Sequence, residues 1–153
     1  MSKDKCPCKA FDNSFEFQHD NRKIVSIKDK GDRKYKYENI SSNYLAKYKV
    51  ENGLIFDNNN KKCDYLLLNC NHKKAYFIEL KGSKLIDAIE QISRTIDELK
   101  TKLPDFSIFA RIVITRFNTI ELRNTSQYKE LLRKVNKNKD GIIIKENILD
   151  EKK

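Results

Sequence analysis

The sequence has no tryptophan, two prolines, four glycines and two histidines. The scarcity of proline and glycine argues against long flexible linkers, so we expect the 153 residues to form one compact domain. We predict a single domain over residues 1–153 with a peripheral N-terminal segment at about residues 1–35. Neither histidine has an obvious partner, so the chemistry of the protein is expected to depend on other side chains.

Long hydrophobic runs are also absent. No apolar run approaches the roughly 20 residues needed to span a bilayer, and the N-terminus, MSKDKCPCKAFDN, lacks the apolar stretch of a secretory signal. We therefore expect a cytoplasmic protein without membrane contact, in which all four cysteines are reduced.

The cysteine spacing does not favour a structural zinc site. Cys6 and Cys8 form a C-x-C pair and Cys70 with His72 forms a C-x-H pair, whereas zinc fingers have two pairs at characteristic spacing. Cys63 lies in an apolar segment, where a small hydrophobic residue would serve equally well.

Positive charge is plentiful. Lysines and arginines outnumber acidic residues 32 to 22, which gives a formal charge of +10. This surplus favours association with nucleic acid and faster encounter with it. A lysine-rich proteome would produce the same surplus, so charge alone favours nucleic-acid binding only weakly.

The spacing of apolar residues predicts an α/β protein with a mixed central β-sheet flanked by helices. Phe15–Phe17 and Ile24–Ile27 alternate and suggest an N-terminal hairpin. The elements expected after it are a short helix capped by Ser41 or Ser42 and running through Ala46–Lys49, strands at GLIFD, KKCDYLLLN and KAYFIELKG, a long helix, a buried strand at FSIFARIVITRF, a helix at SQYKELLRKVNKNK and a last strand at GIIIKENIL.

The long helix has the clearest pattern. One apolar stripe runs along it at alternating steps of four and three residues: Leu85, Ile89, Ile92, Ile96, Leu99 and Leu103. Ser83 is the expected N-cap and Pro104 ends the helix.

The second and third strands bring charged residues together. If they form an antiparallel hairpin with Asn71 and His72 at the turn, Asp64 lies opposite Glu79, and opposed side chains share one face of a sheet. Strand alternation adds Lys81 to that face. The register therefore predicts two carboxylates and an ammonium group at one end of the hairpin.

This arrangement suits a divalent cation. Two opposed carboxylates repel, and Mg²⁺ prefers oxygen ligands such as one or two carboxylates with waters and phosphates. The Leu80 carbonyl offers a further oxygen, and Lys81 would orient water or stabilise negative charge. The alternative is a solvated ion pair between Glu79 and Lys81 at a strand end. The apolar strands around both acids, and Gly82 before a long helix, argue against that alternative.

At these residues the sequence resembles the PD-(D/E)xK nuclease superfamily. The matching segments are CDYLLLN and YFIELKGS, followed by the helix DAIEQISRTIDEL, and the resemblance covers Glu38 to Phe117. It implies a restriction-endonuclease-like core of one helix, three strands, a helix and a strand. Cys63 stands where the superfamily name has proline, a departure that the superfamily often tolerates.

The resemblance also implies roles for individual residues. Asp64 and Glu79 would bind the metal ion, with Lys81 as the catalytic lysine. Gln91 matches a glutamine on the following helix, although an ordinary polar position explains it equally well. Many members use an acid from the first helix; Glu38 and Glu51 are both candidates, and we favour Glu51 because VENG immediately precedes the first predicted strand.

Together these features predict a metal-dependent nuclease that hydrolyses phosphodiester bonds, with Mg²⁺ as cofactor, Mn²⁺ as a substitute and DNA as the favoured substrate. Arg116 could contact phosphate, as could any surface arginine. The alternatives are a non-catalytic nucleic-acid-binding module, suggested by the basic stretch Lys129 to Lys139, and a nuclease subunit that needs a homodimer or a separate recognition subunit.

Overall fold

The computed structural model describes residues 11, 15–56, 62–116, 122–138 and 140–153. Within them the chain is a mixed α/β protein with nine strands and two helices. The elements in chain order are β1 (Phe15–Asp20), β2 (Ile24–Lys28), β3 (Lys34–Glu38), β4 (Leu45–Lys49), β5 (Tyr65–Asn69), β6 (Lys74–Lys81), α1 (Leu85–Leu99), a 3₁₀ turn (Lys100–Lys102), β7 (Ser107–Ile114), α2 (Ser126–Lys134), β8 (Ile142–Glu146) and β9 (Ile148–Lys152).

The central sheet has six strands in the order β1-β4-β5-β6-β7-β8. The first four are antiparallel neighbours, whereas β6, β7 and β8 run parallel. Parallel neighbours need a crossover, and α1 makes the one between β6 and β7. The prediction of a mixed central sheet is therefore confirmed.

The register predicted for the β5–β6 hairpin is confirmed from Tyr65 to Asn69. The predicted pair of Asp64 with Glu79 lies outside this ladder, because the Asp64 N–H donates to the Ile78 carbonyl. Leu66 pairs with Phe77 and Leu68 with Ala75, and the turn contains Asn71 and His72. Two-residue alternation with a polar turn of short length was enough to specify it.

One face of the central sheet packs against both helices. The predicted stripe on α1 is buried there at Ile89, Ile92, Ile96 and Leu99, against sheet residues such as Phe77. The predicted cap at Ser83 is wrong. Lys84 occupies the N-cap with a left-handed backbone (φ 63°) and makes no side-chain capping bond.

The opposite face is covered by a three-stranded sheet, β2-β3-β9, and not by helices. Tyr35 and Tyr37 from β3 pack there against Tyr76 and Ile78 of β6. The prediction of flanking helices therefore holds for one face of the sheet in the described part of the chain.

The predicted short helix through Ala46–Lys49 is wrong, because this segment is strand β4, which pairs with β1 and β5. Its two-residue alternation was hidden because β4 is buried on both faces. The predicted strand at GLIFD is also wrong. Gly53 and Leu54 form a turn, and Ile55 makes only an isolated bridge to Glu51.

Two further expectations about the ends of the described chain are wrong. The N-terminal strands do not form a hairpin, because β1 pairs with β4 and β2 pairs with β3. The single last strand is two strands, β8 and β9, which belong to different sheets. Asn147, with φ 66°, lies between them and redirects the chain from one sheet to the other.

The cysteines depart from expectation at one position. Cys63 is a buried free thiol, as an apolar site favours, whereas Cys70 is disulfide-bonded. The prediction of four reduced cysteines is therefore wrong at Cys70. Cys6 and Cys8 lie outside the described residues.

No helix within the described ranges is both long enough and apolar enough to cross a membrane.

Candidate active site

Asp64 immediately precedes β5, where three segments of the sheet meet. Its backbone N–H donates to the Ile78 carbonyl (3.1 Å), and its own carbonyl accepts from the Val50 N–H (3.0 Å). Its carboxylate Oδ2 accepts a hydrogen bond from the Leu80 backbone N–H at 3.0 Å. These bonds fix Asp64 beside the strand that carries Glu79 and Lys81.

Glu79 lies near the end of β6 and is only 2% exposed. Its Oε1 atom is buried and has no hydrogen-bond partner in the described part of the chain. A buried carboxylate normally has all its oxygens satisfied, because leaving one unpaired is costly. Glu79 departs from this rule, so its burial needs another explanation.

Burial raises the pKa of both acids at this site. Burial raises the pKa of Glu79 well above its ordinary value, and the Asp64 charge raises it further, while Lys81 and the Asp64 N–H lower it. Burial likewise raises the pKa of Asp64, although the Leu80 N–H opposes the shift. Both shifts favour the protonated form relative to an ordinary carboxyl group, and a cation would compete with those protons.

Gln91 holds the ammonium group of Lys81. The Lys81 Nζ donates to Gln91 Oε1 at 3.0 Å, and Gln91 Nε2 donates to the Lys62 carbonyl at 3.0 Å. Gln91 lies on α1, so the helix links Lys81 to the segment that leads into Asp64. Lys81 lies two residues beyond Glu79, so alternation places both on the helix-covered face of the sheet.

One turn further along, α1 also contacts the segment that precedes Asp64. Thr95 Oγ1 donates to the Gln91 carbonyl (2.7 Å) and accepts from the Cys63 N–H (2.9 Å). The backbone on both sides of the Lys62–Cys63 peptide is therefore held by α1.

Glu51 lies in the turn after β4 and not on a helix. It is exposed, yet its charge raises the pKa of both Asp64 and Glu79. Glu38, at the end of β3, instead forms ion pairs with Lys36 and Lys152. The described residues preceding these strands contain no helix, so neither acid is a first-helix residue.

Sequence reasoning missed three residues near this site. Asp29 lies in the β2–β3 turn, and its charge raises the pKa of Asp64. Arg33 follows it and donates to Thr115 Oγ1 at 2.9 Å, at the end of β7. The turn was recognisable from Gly31 and Asp32, but nothing local indicated that it reaches the end of another strand. Arg116 is exposed beyond β7.

The donors available to a metal ion are few. In the described residues, no group of three or more histidine, cysteine, aspartate or glutamate side chains is arranged to hold a metal ion. The set at hand is two carboxylates with the Leu80 carbonyl. Because the N–H and C=O of a strand residue point the same way, that carbonyl faces the Asp64 side. This oxygen set matches the preference of Mg²⁺, which retains several waters.

No protein-family model, curated protein or solved structure matches the chain.

Proposed function

We propose that this protein is a metal-dependent nuclease that hydrolyses phosphodiester bonds, with DNA as its substrate and Mg²⁺ as its cofactor. One observation carries the proposal: the Oε1 of Glu79, adjacent to Asp64 and Lys81, is buried and has no hydrogen-bond partner among the residues that the structure describes. A purely structural acid at this depth would be paired, whereas a metal ligand is unpaired until its cation binds.

In this proposal Asp64, Glu79 and the Leu80 carbonyl hold the cation. When bound, the cation supplies Lewis-acid polarisation of a phosphoryl oxygen. Asp64 Oδ2 is already oriented by the Leu80 N–H, which reduces the rearrangement needed for binding. Glu51 adds negative charge near the site from an exposed turn.

Lys81 provides the positive charge. Gln91 accepts one of its three N–H bonds, which leaves the others to meet the negative charge that develops on the phosphoryl group. An ammonium held in place by a helix side chain stabilises that charge without a reorganisation cost. Gln91 is thus a positioning residue in this proposal.

The order of elements supports a restriction-endonuclease-like core. β4, β5, β6, α1 and β7 form three antiparallel strands, a helix and a further strand, with Asp64 immediately before β5 and Glu79 on β6. The helix expected in front of these strands is replaced by the β2–β3 hairpin. The excess of ten positive charges favours a polyanionic substrate.

The direct test is a cleavage panel on linear, circular, single-stranded and branched DNA with Mg²⁺, Mn²⁺ or EDTA. We expect metal-dependent cleavage that Asp64→Asn, Glu79→Gln and Lys81→Met each abolish. The matched control is Glu130→Gln, which removes a carboxylate from α2, where Glu130 pairs only with Lys134 at 3.4 Å. Undiminished cleavage by the Asp64→Asn protein would exclude this site.

The same panel separates the alternatives. Salt-sensitive DNA binding without cleavage under any metal condition would identify a non-catalytic binding module. Cleavage that rises with the square of protein concentration would identify a site that needs a second copy of the chain, which size-exclusion chromatography with and without DNA would check.

A further inference from the structure

Arg33 lies at the same end of the sheet as the proposed metal site. β6 and β7 run parallel, and their last ladder pair is Lys81 with Ile114. The next residues, Gly82 and Thr115, therefore continue side by side beyond the ladder. Ligands of sheets with parallel strands bind at this carboxyl edge. Arg33 reaches it from the three-stranded sheet on the other face.

The guanidinium of Arg33 rests against both residues. Its Nη1 donates to Thr115 Oγ1 at 2.9 Å, and a β-carbon built at Gly82 would lie 3.5 Å from Nη1. Gly82 directly follows Lys81. Arg33 therefore lies against the residue that directly follows the proposed catalytic lysine.

Asp29 fixes the orientation of that guanidinium. Its Oδ2 accepts from Arg33 Nε at 2.8 Å and lies 2.5 Å from Nη2. Its Oδ1 accepts from the backbone N–H groups of Gly31 and Arg33, at 3.0 and 3.1 Å. Both oxygens of Asp29 are thus used to hold the turn and the arginine, which leaves the arginine as the group that faces a ligand.

The contacts of Arg33 leave part of its donor set unused. Of the five guanidinium N–H groups, three are engaged by Asp29 and Thr115, and the other two have no partner in the described part of the chain. An oriented guanidinium with two spare donors matches the geometry of a phosphate group. A surface arginine without such supports would lose more rotamer freedom on binding.

We propose that Arg33, held by Asp29 and Thr115 beside Gly82, binds a backbone phosphate of the nucleic acid next to the metal site. The proposal rests on the proposed function for the identity of the ligand as a nucleic acid. In this proposal the β2–β3 turn, which lies outside the β4–β7 core, contacts the substrate strand.

Gly31 provides a test that leaves the charge of Arg33 in place. A β-carbon at Gly31 would lie 2.5 Å from Nη2 and 2.6 Å from Nη1, so Gly31→Ala must displace the guanidinium. The displaced group is the end of a flexible side chain, and the backbone at Gly31 has no positive φ that alanine would strain. Gly31→Ala therefore removes the orientation of Arg33 and keeps the net charge.

Arg22 provides the matched control. It pairs with Asp20 at 2.8 Å in the turn between β1 and β2, so Arg22→Ala removes the same charge from a second arginine–aspartate pair. Arg22 is not among the charges that act on Asp64 or Glu79.

The experiment measures binding of a labelled DNA duplex in EDTA, across a salt series, by fluorescence anisotropy. We expect Arg33→Ala to weaken binding about tenfold and to reduce the salt dependence of log Kd by about one unit. We expect Gly31→Ala to lose most of the same affinity and Arg22→Ala to bind nearly as wild type. Thermal melts confirm that each variant is folded.

The outcomes separate this inference from the proposed function. Equal losses in Arg33→Ala and Arg22→Ala, unchanged binding by Gly31→Ala, or a wild-type protein that does not bind DNA would each overturn the role of Arg33. The expected binding differences in a protein that cleaves nothing with Mg²⁺ or Mn²⁺ would uphold Arg33 and overturn the nuclease. Cleavage by wild type with full activity and affinity in Arg33→Ala would do the reverse.

Discussion

Glu79 and Glu151 are two buried glutamates on opposite sides of one sheet, 2% and 6% exposed, and they are satisfied in opposite ways. Glu151, from β9, accepts from Arg111 Nε at 2.6 Å and Nη2 at 3.1 Å, and from the Tyr35 hydroxyl at 2.7 Å. Within the described residues, the Oε1 atom of Glu79 has no hydrogen-bond partner. Both glutamates are therefore deeply buried. What distinguishes the structural acid from the candidate metal ligand is whether its carboxylate oxygens accept hydrogen bonds.

Arg111, the partner of Glu151, forms hydrogen bonds through every nitrogen of its guanidinium group. The side chain is fully buried, its Nη1 donates to the Ala110 and Asp140 carbonyls, and its guanidinium carbon lies 5.3 Å from the ring centroids of Tyr76 and Phe109. A charge that is paired and fully hydrogen-bonded tolerates burial. Glu79 has the Lys81 charge and the Asp64 N–H nearby, but in the described ranges its Oε1 has no partner.

The largest effect is expected on the stability contributed by the Arg111–Glu151 pair. Arg111→Met removes the principal partner of Glu151 and should lower the free energy of unfolding by about 3–5 kcal/mol, because breaking a buried pair leaves an uncompensated charge. Urea denaturation measures it. Arg116→Met, at an exposed arginine just beyond the same strand, is the control and should change little. A loss under about 1 kcal/mol would place the pair with ordinary surface ion pairs.

The second effect is on catalysis and is expected at Glu79, on the other side of the sheet. Glu79→Gln should lower the rate of metal-dependent cleavage by about a hundredfold or more, which corresponds to at least about 2.7 kcal/mol. Glu151→Gln should leave the rate per folded molecule near that of wild type. Single-turnover cleavage, normalised to the folded fraction, compares the two. Equal losses in both variants would erase the distinction drawn between the two glutamates.

A third effect concerns stability at the site itself. Because the folded pKa of Glu79 is raised, the folded state binds its proton more tightly than the unfolded state does. In EDTA the free energy of unfolding should therefore fall as pH rises above the ordinary carboxyl value of about 4.5, and continue to fall until the raised pKa is passed. Asp64 contributes in the same direction.

Glu79→Gln removes the charge and should raise stability at pH 8 in EDTA by roughly 1–3 kcal/mol. It should also flatten the pH dependence, and Mg²⁺ should close the gap by stabilising wild type alone. Thermal melts at pH 5 and pH 8, with and without Mg²⁺, measure both. A wild type and a Glu79→Gln variant with parallel pH profiles would contradict the raised pKa.

The smallest effect is expected at Gln91. Gln91→Leu removes the acceptor that holds the Lys81 Nζ and should reduce cleavage about three- to tenfold, with the change in kcat and little in KM. Gln91→Glu, which retains an acceptor, should recover most of the rate. Loss of rate in Gln91→Leu without recovery in Gln91→Glu would indicate a packing role on α1.

The sequence was most informative where its patterns are local. The β5–β6 register followed from alternation and a short turn, and the stripe of α1 followed from its 3.6-residue period. The proximity of Asp64, Glu79 and Lys81 rests on that register. The Asp64 charge raises the pKa of Glu79 and Lys81 lowers it, which agrees with that proximity.

Longer-range features could not be read in advance. The segment of β4 looked helical because packed layers cover both its faces, which removes the alternation that identifies a half-exposed strand. Arg111 and Glu151 are 40 residues apart, and each looks like any surface charge on its own. Asp29 and Arg33 belong to a turn whose partner, Thr115, is 82 residues away.

The link between Tyr35 and Glu151 spans 116 residues, and β3 receives β9 as a parallel neighbour only when that distance has been translated. A ribosome adding about 5–20 residues per second needs roughly ten seconds to do so. During that interval β3 lacks its parallel neighbour β9, and the Tyr35 hydroxyl lacks its acceptor Glu151. The three-stranded sheet that carries Arg33 would therefore complete its hydrogen bonding only after β9 has been translated.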